Sequence, residues 1–95
     1  MYRRASKVDD NQKVIVEALR RVGFSVQSLA STGKGCPDIL VGSNGKNFLF
    51  EIKDGAKPEC KRKLTPDEEA WHKAWKGQIH IALCAEEIIA IVLRG

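Results

Sequence analysis

The sequence predicts a small α/β domain, a mixed sheet flanked by helices in the order α-β-β-β-α-β with one further element at the C-terminus. Three observations lead there. Apolar residues recur at helical spacing near the N-terminus. Short apolar or alternating runs, separated by glycine-bearing turns, fill the middle. A helix-start signature, Leu64-Thr65-Pro66-Asp67-Glu68, then precedes a final apolar run. A chain of 95 residues has room for one such domain and little else.

Residues 9–22 read as the first helix. Asp9 or Asp10 caps it, Val8, Ile15, Leu19 and Val22 mark its core side, and Gly23 ends it. Residues 24–30 alternate as a strand, and Ser31-Thr32-Gly33-Lys34-Gly35 reads as a flexible loop. Residues 38–41 form a short apolar strand, and Ser43-Asn44-Gly45-Lys46 turns it into an antiparallel strand at 47–53. Residues 55–63 read as a basic loop. Thr65 is then an N-cap, Pro66 takes the first helical position and Glu68 completes a capping box, so a helix runs to about Lys76 and stops at Gly77. Residues 79–84 read as a last, buried strand. For 85–93, Glu86-Glu87 favours a short helix and the Ile-Ile-Ala-Ile-Val run a strand; helix is the preferred reading.

Composition narrows the classes. With 43% hydrophobic and 29% charged residues, the chain is neither disordered nor collagen-like. No apolar run is long enough to span a membrane. Residues 1–7 are a basic arm with no apolar segment behind them, so no secretory signal is expected. Three cysteines, an odd number without a CxxC pair, fit a reducing cytoplasm better than a disulfide framework or a zinc site. A net charge of +4 permits a polyanionic partner.

The strongest chemical signal is Pro37-Asp38 followed by Glu51-Ile52-Lys53. Strand alternation puts Phe48, Phe50 and Ile52 on one face and Leu49, Glu51 and Lys53 on the other. A hairpin can set Asp38 beside Glu51. Two adjacent carboxylates repel unless a cation lies between them, and oxygen donors suit Mg²⁺ or Mn²⁺. Lys53 would then hold a water or stabilise charge on phosphorus. An isolated E-x-K is most often a pair of ordinary exposed charges. The Pro-Asp at strand spacing after a glycine loop is what raises this one above that reading.

Gly35-Cys36-Pro37-Asp38-Ile39-Leu40-Val41, Glu51-Ile52-Lys53 and Leu64-Thr65-Pro66 together resemble the virus-type replication-repair nuclease domain, VRR-NUC, of the PD-(D/E)XK superfamily. The resemblance runs from about Val8 to the C-terminus. It implies a restriction-endonuclease-like core, metal-dependent phosphodiester hydrolysis, kinship with Holliday-junction resolvases, and a phage or bacterial setting. It makes Asp38 and Glu51 metal ligands, the Ile52 backbone carbonyl a further ligand, and Lys53 the catalytic lysine. Two positions depart from the pattern. Many members carry Gln where Glu68 stands, leaving Glu68 between a catalytic role and a helix cap. Relatives also often carry a metal-linked Glu on the first helix. Here Glu17 lies about 200° from Ile15, away from the core, and Gln12 only about 60° from it, which selects Gln12 over Glu17.

These features predict a Mg²⁺- or Mn²⁺-dependent, structure-selective DNA endonuclease, homodimeric and suited to a branched or four-way junction. The alternatives are a nuclease for flaps, nicks or duplex DNA, and an inactive DNA-binding module on the same fold. Lys57, Lys61, Arg62 and Lys63, with Lys34 and the Arg3, Arg4 and Lys7 arm, are expected to line the DNA path. Ser31 and Thr32 are weaker phosphate candidates. Trp71 and Trp75 read as core or dimer packing. His72 and His80 lack partners at metal-ligand spacing.

Overall fold

The computed structural model describes residues 10–95. The basic arm expected at 1–7, with Arg3, Arg4 and Lys7, lies outside the described residues, as do Val8 and Asp9. Within them the order is α1 (Asp10–Arg21), β1 (Ser25–Ser28), β2 (Ile39–Ser43), β3 (Lys46–Ile52), α2 (Pro66–Ala74), β4 (His80–Ala82) and α3 (Ala85–Arg94). The chain is thus a small α/β domain with a mixed four-stranded sheet and three helices. Strand order is β1-β2-β3-β4. The first three strands are antiparallel, and β4 runs parallel to β3 after the α2 crossover.

The β2–β3 hairpin is the frame. Asn44 and Gly45 both take positive φ, 56° and 79°, as the tight turn between Ser43 and Lys46 requires. That turn sets Val41 opposite Phe48 and Ile39 opposite Phe50. These four residues are essentially buried and face Ile15 and Leu19 of α1 and Ile88 and Val92 of α3 in one apolar cluster. The opposite face carries Leu40 and Leu49, which line a groove with Trp71 and Trp75 of α2.

Element boundaries move for local reasons. Helix α1 ends at Arg21 rather than at 22, and Val22 is 53% exposed rather than in the core. It lies past the last helical residue, where Gly23 turns the chain with φ 98°. Strand β1 is shorter than 24–30 because the Phe24 N–H donates back to the Leu19 carbonyl, while Thr32 N–H donates to Leu29 in a turn. The 31–35 segment is two successive turns, the second closed by Cys36 N–H to the Gly33 carbonyl. Strands β2 and β3 span 39–43 and 46–52, not 38–41 and 47–53, so Asp38 and Lys53 sit just beyond strand ends. The 55–63 loop contains a 3-10 turn at Glu59–Lys61. Helix α2 ends at Ala74, short of Lys76, because Trp75 is already extended.

Two further readings are decided by packing. Strand β4 is an edge, not a buried strand: Ile81 is 49% exposed while Ala82 is buried. The C-terminal run is helical. Ile88 and Val92, one turn apart, are buried, the acidic Glu86 and Glu87 lie in the first turn, and Glu87 accepts the Leu83 N–H at 2.7 Å.

Gly35 joins the two layers on the α2 side. Its φ is 83°, and a Cβ there would collide with the Asp67 carbonyl at the start of α2. We expect Gly35→Ala to destabilise the fold by about 1–3 kcal/mol, from left-handed strain plus displacement of the helix start. Urea denaturation midpoints with a common slope check this; an unchanged midpoint would mean that α2 does not rest on this backbone.

Candidate active site

The hairpin register, continued one residue past Ile39 and Phe50, sets Asp38 opposite Glu51 on the α2 side of the sheet. Asp38 is held there by its own backbone and side chain. Its N–H donates to the Phe50 carbonyl at 3.0 Å, its carbonyl accepts the Leu29 N–H at 2.8 Å, and Oδ2 accepts the Ile52 N–H at 2.7 Å. In an extended strand a residue's N–H and C=O point to the same side, so the Ile52 carbonyl belongs to the Asp38 side. Glu51 is 2% exposed. A charged residue this deep is uncommon unless it is paired or coordinates a metal.

Lys53 follows at the strand end. Its Nζ lies 2.7 Å from Glu68 Oε1 and 3.8 Å from Glu51 Oε2. Glu68 also completes the capping box: Oε1 accepts the Thr65 N–H at 2.9 Å, and the Glu68 N–H donates to Thr65 Oγ1 at 3.2 Å. The two roles left open for Glu68 are therefore combined in one carboxylate, which caps α2 and grips Lys53. The same helix brings His72 to the site, with Nε2 4.0 Å from Glu51 Oε1. Both of these atoms are buried and without a hydrogen-bond partner among the described residues.

The charges respond to this crowding. Burial, then the charge and hydrogen bond of Asp38, push the Glu51 carboxyl up to about 9. Burial also raises Asp38, against the opposing Ile52 N–H and the hydrogen bond with Glu51. A proton or a cation on the pair would relieve this repulsion. Burial alone would lower the Lys53 ammonium, but the Glu68 hydrogen bond and the carboxylates around it leave it above its ordinary value. Burial alone would raise Glu68, but Lys53 and the Thr65 amide bring it below the usual range. The cluster is a protonated or cation-requiring carboxyl pair beside a firmly protonated lysine.

The other predicted residues are spread more widely. Gln12 is buried at 5% and Glu17 is exposed. Both line a groove of about 350 Å³ with Val16, Arg20 and Ser28. No hydrogen bond joins Gln12 to Asp38, Glu51 or Lys53 among the described residues. Lys34, Lys57, Lys61 and Lys63 are exposed, while Arg62 is half-buried with an unpartnered Nε. Arg62 and Lys63 line a groove of about 680 Å³ beside Ile81 and Leu83 at the β4 edge. Trp71 and Trp75 stack at 4.5 Å between ring centroids and line an apolar groove with Leu40 and Leu49, leaving Trp75 46% exposed. His80 bonds Gln78 at 2.9 Å and packs on Phe50. Cys36, Cys60 and Cys84 are free thiols.

His72 is the residue that sequence spacing missed. Glu68, Trp71, His72 and Trp75 recur at i, i+3, i+4 and i+7, one face of a helix. Reading the polar members of that face with the apolar ones would have placed His72 beside Glu68.

No three His, Cys, Asp or Glu side chains are arranged as a ready ligand set for one ion among the described residues. The donor chemistry nevertheless fits a hard divalent cation. Two carboxyls and a strand-end carbonyl are oxygen donors, and the buried Glu51 Oε1 has no partner. No helix among the described residues is long and apolar enough to cross a membrane. No family model matches the chain, and no curated protein or solved structure matches it.

A pH dependence follows from Glu51. Its folded pKa, about 9, is above its unfolded value, so the folded state retains a proton that the unfolded state has lost. That contribution is fully present below the unfolded value of 4.5 and is lost as pH rises towards 9. In EDTA, Glu51→Gln should therefore gain stability over the parent steadily across this interval, because glutamine keeps a neutral donor for Asp38. Melting temperatures of both proteins from pH 5 to 9 check it; parallel curves would mean that Glu51 ionises without penalty.

Proposed function

We propose that this chain is a metal-dependent, structure-selective DNA endonuclease of the VRR-NUC type, with a PD-(D/E)XK core, acting as a homodimer on branched or four-way-junction DNA. The observation that carries this reading is the Asp38–Glu51 carboxyl pair on one sheet face, with the Lys53 ammonium 3.8 Å from Glu51. Asp38, Glu51 and the Ile52 carbonyl would hold Mg²⁺ or Mn²⁺. Such an ion, when bound, polarises a phosphate and lowers the pKa of a coordinated water.

The chain's own groups do the rest. Lys53 keeps its proton, since Glu68 and the carboxylates around it hold its pKa up. It therefore acts as a fixed cation beside the scissile phosphate, stabilising the charge that builds on it, rather than as a base. Glu68 fixes where that cation points, because one carboxylate oxygen binds both Lys53 and the helix cap. The exposed Lys57, Lys61 and Lys63 follow directly on the Lys53 strand end and supply phosphate contacts close to the cut. The homodimer follows from the substrate. A four-way junction is two-fold symmetric and needs paired cuts, which two identical sites about a two-fold axis deliver.

Labelled junction, flap, nicked and duplex substrates incubated with Mg²⁺ or Mn²⁺ test the reading. Junction cleavage is the expected result. Cleavage of flaps or duplex instead would keep the nuclease and change its substrate. Binding with no metal-dependent cleavage of any substrate would leave a DNA-binding module. Asp38→Asn and Glu51→Gln should each abolish cleavage while junction binding survives. Lys53→Ala should lower kcat by about 10²–10³-fold with a much smaller change in KM. A Lys53→Ala defect confined to KM would make Lys53 a plain DNA contact.

The basic loop has its own signature. Replacing Lys57, Lys61 and Lys63 together with alanine should weaken DNA binding on every duplex sequence alike. The slope of log K against log salt should fall by about 0.9 for each phosphate that the variant no longer neutralises. Fluorescence titrations at increasing KCl measure that slope, and an unaltered slope would make these lysines solvated surface charges.

A further inference from the structure

The face that α2 turns to the sheet is divided into two stripes. Trp71 and Trp75 line a groove with Leu40 and Leu49, whereas Glu68 and His72, one turn apart, lie beside Lys53 and Glu51. Glu68 is engaged by Lys53 and Thr65. His72 has no such partner. Among the described residues its Nε2 and Glu51 Oε1 are both buried and unpartnered, and they lie 4.0 Å apart. That gap is too long for a hydrogen bond, which needs about 2.7–3.2 Å. Two donors that each lie about 2.1–2.2 Å from a shared ion, however, are separated by up to about 4.3 Å. Two unsatisfied polar atoms left facing each other in a buried site call for a third group between them.

We propose that His72 Nε2 and Glu51 Oε1 are ligands to one divalent cation, and that the imidazole tilts the site from Mg²⁺ towards first-row transition cations. The inference rests on the metal-site reading given above and adds to it a nitrogen ligand and a metal preference. Mg²⁺ takes oxygen donors almost exclusively, whereas imidazole nitrogen binds transition cations well. The site then draws donors from both layers, Glu51 from β3 and His72 from α2. Metal binding therefore clamps the helix to the sheet.

Mn²⁺ is the probe, loaded into the full chain. Pulsed EPR of bound Mn²⁺ should show ¹⁴N coupling of the imidazole type. The coupling should vanish in His72→Gln and persist in His80→Gln, and because the chain has only two histidines this pair assigns it. Calorimetry should show Mn²⁺ affinity falling about 10–100-fold in His72→Gln, with Mg²⁺ affinity much less affected. Should His72→Gln fail to fold, coupling retained in His80→Gln still assigns the nitrogen. Mn²⁺ that binds with no ¹⁴N coupling, or with equal affinity in His72→Gln, overturns the inference and leaves the carboxylate site standing. No Mn²⁺ binding by the parent chain overturns both.

Discussion

The placement of Glu51 governs the rest of this structure. Its carboxyl is buried on the sheet face opposite the apolar core, directly across from Asp38. Two unit charges about 4 Å apart repel by about 4 kcal/mol even at an effective dielectric of 20. The pair therefore needs a proton or a cation, and Lys53 and the Ile52 amide oppose the added repulsion of Glu68. Lys53 approaches from the strand end, the Ile52 N–H engages Asp38 at 2.7 Å, and α2 closes over the pair. A hydrophobic pair at these positions would pack at lower cost. On the nuclease reading, this carboxyl pair serves chemistry rather than stability.

The fold achieves this by separating two tasks across one sheet. The face towards α1 and α3 is mainly apolar, from Ile15 and Leu19 through Phe48 and Phe50 to Ile88 and Val92, and supplies the hydrophobic stabilisation. The face towards α2 is divided along its length, apolar at Leu40 and Leu49 and ionic at Asp38, Glu51 and Lys53. Helix α2 matches this division residue for residue, with Trp71 and Trp75 over the first part and Glu68 and His72 over the second. Its N-terminal cap and its contact with Lys53 share Glu68, so helix start and lysine position are coupled. The close approach of Gly35 to the Asp67 backbone completes the attachment.

On the nuclease reading, the distribution of basic residues is functional as well. The exposed lysines of the 55–63 loop begin where the carboxyl–lysine cluster ends, so the long-range attraction for a polyanion and the reactive centre are adjacent along the chain. The cluster itself is net acidic at the sheet, with Asp38, Glu51 and Glu68 against Lys53. A phosphodiester backbone is then drawn in by the lysines and tolerated at the centre only with a cation in place.

Much of this was legible in the sequence because it depends on short-range rules. The Asn44-Gly45 turn sets the hairpin register, and that register alone brings Asp38 opposite Glu51. Thr65, Pro66 and Glu68 announce the α2 start through local capping geometry. The burial of Gln12 and the exposure of Glu17 follow from 100° per residue on α1. What only the tertiary structure decided involves groups distant in sequence that meet on a surface. Sequence spacing has no means of showing that Glu68 reaches Lys53, or that His72 stands over Glu51, because both depend on how α2 crosses the sheet. The exposure of Ile81 has the same origin, since it stands beside Glu51 on the strand that ends the sheet among the described residues. Local chemistry determines where elements begin and which way their side chains point; the packing of one element across another determines which side chains meet.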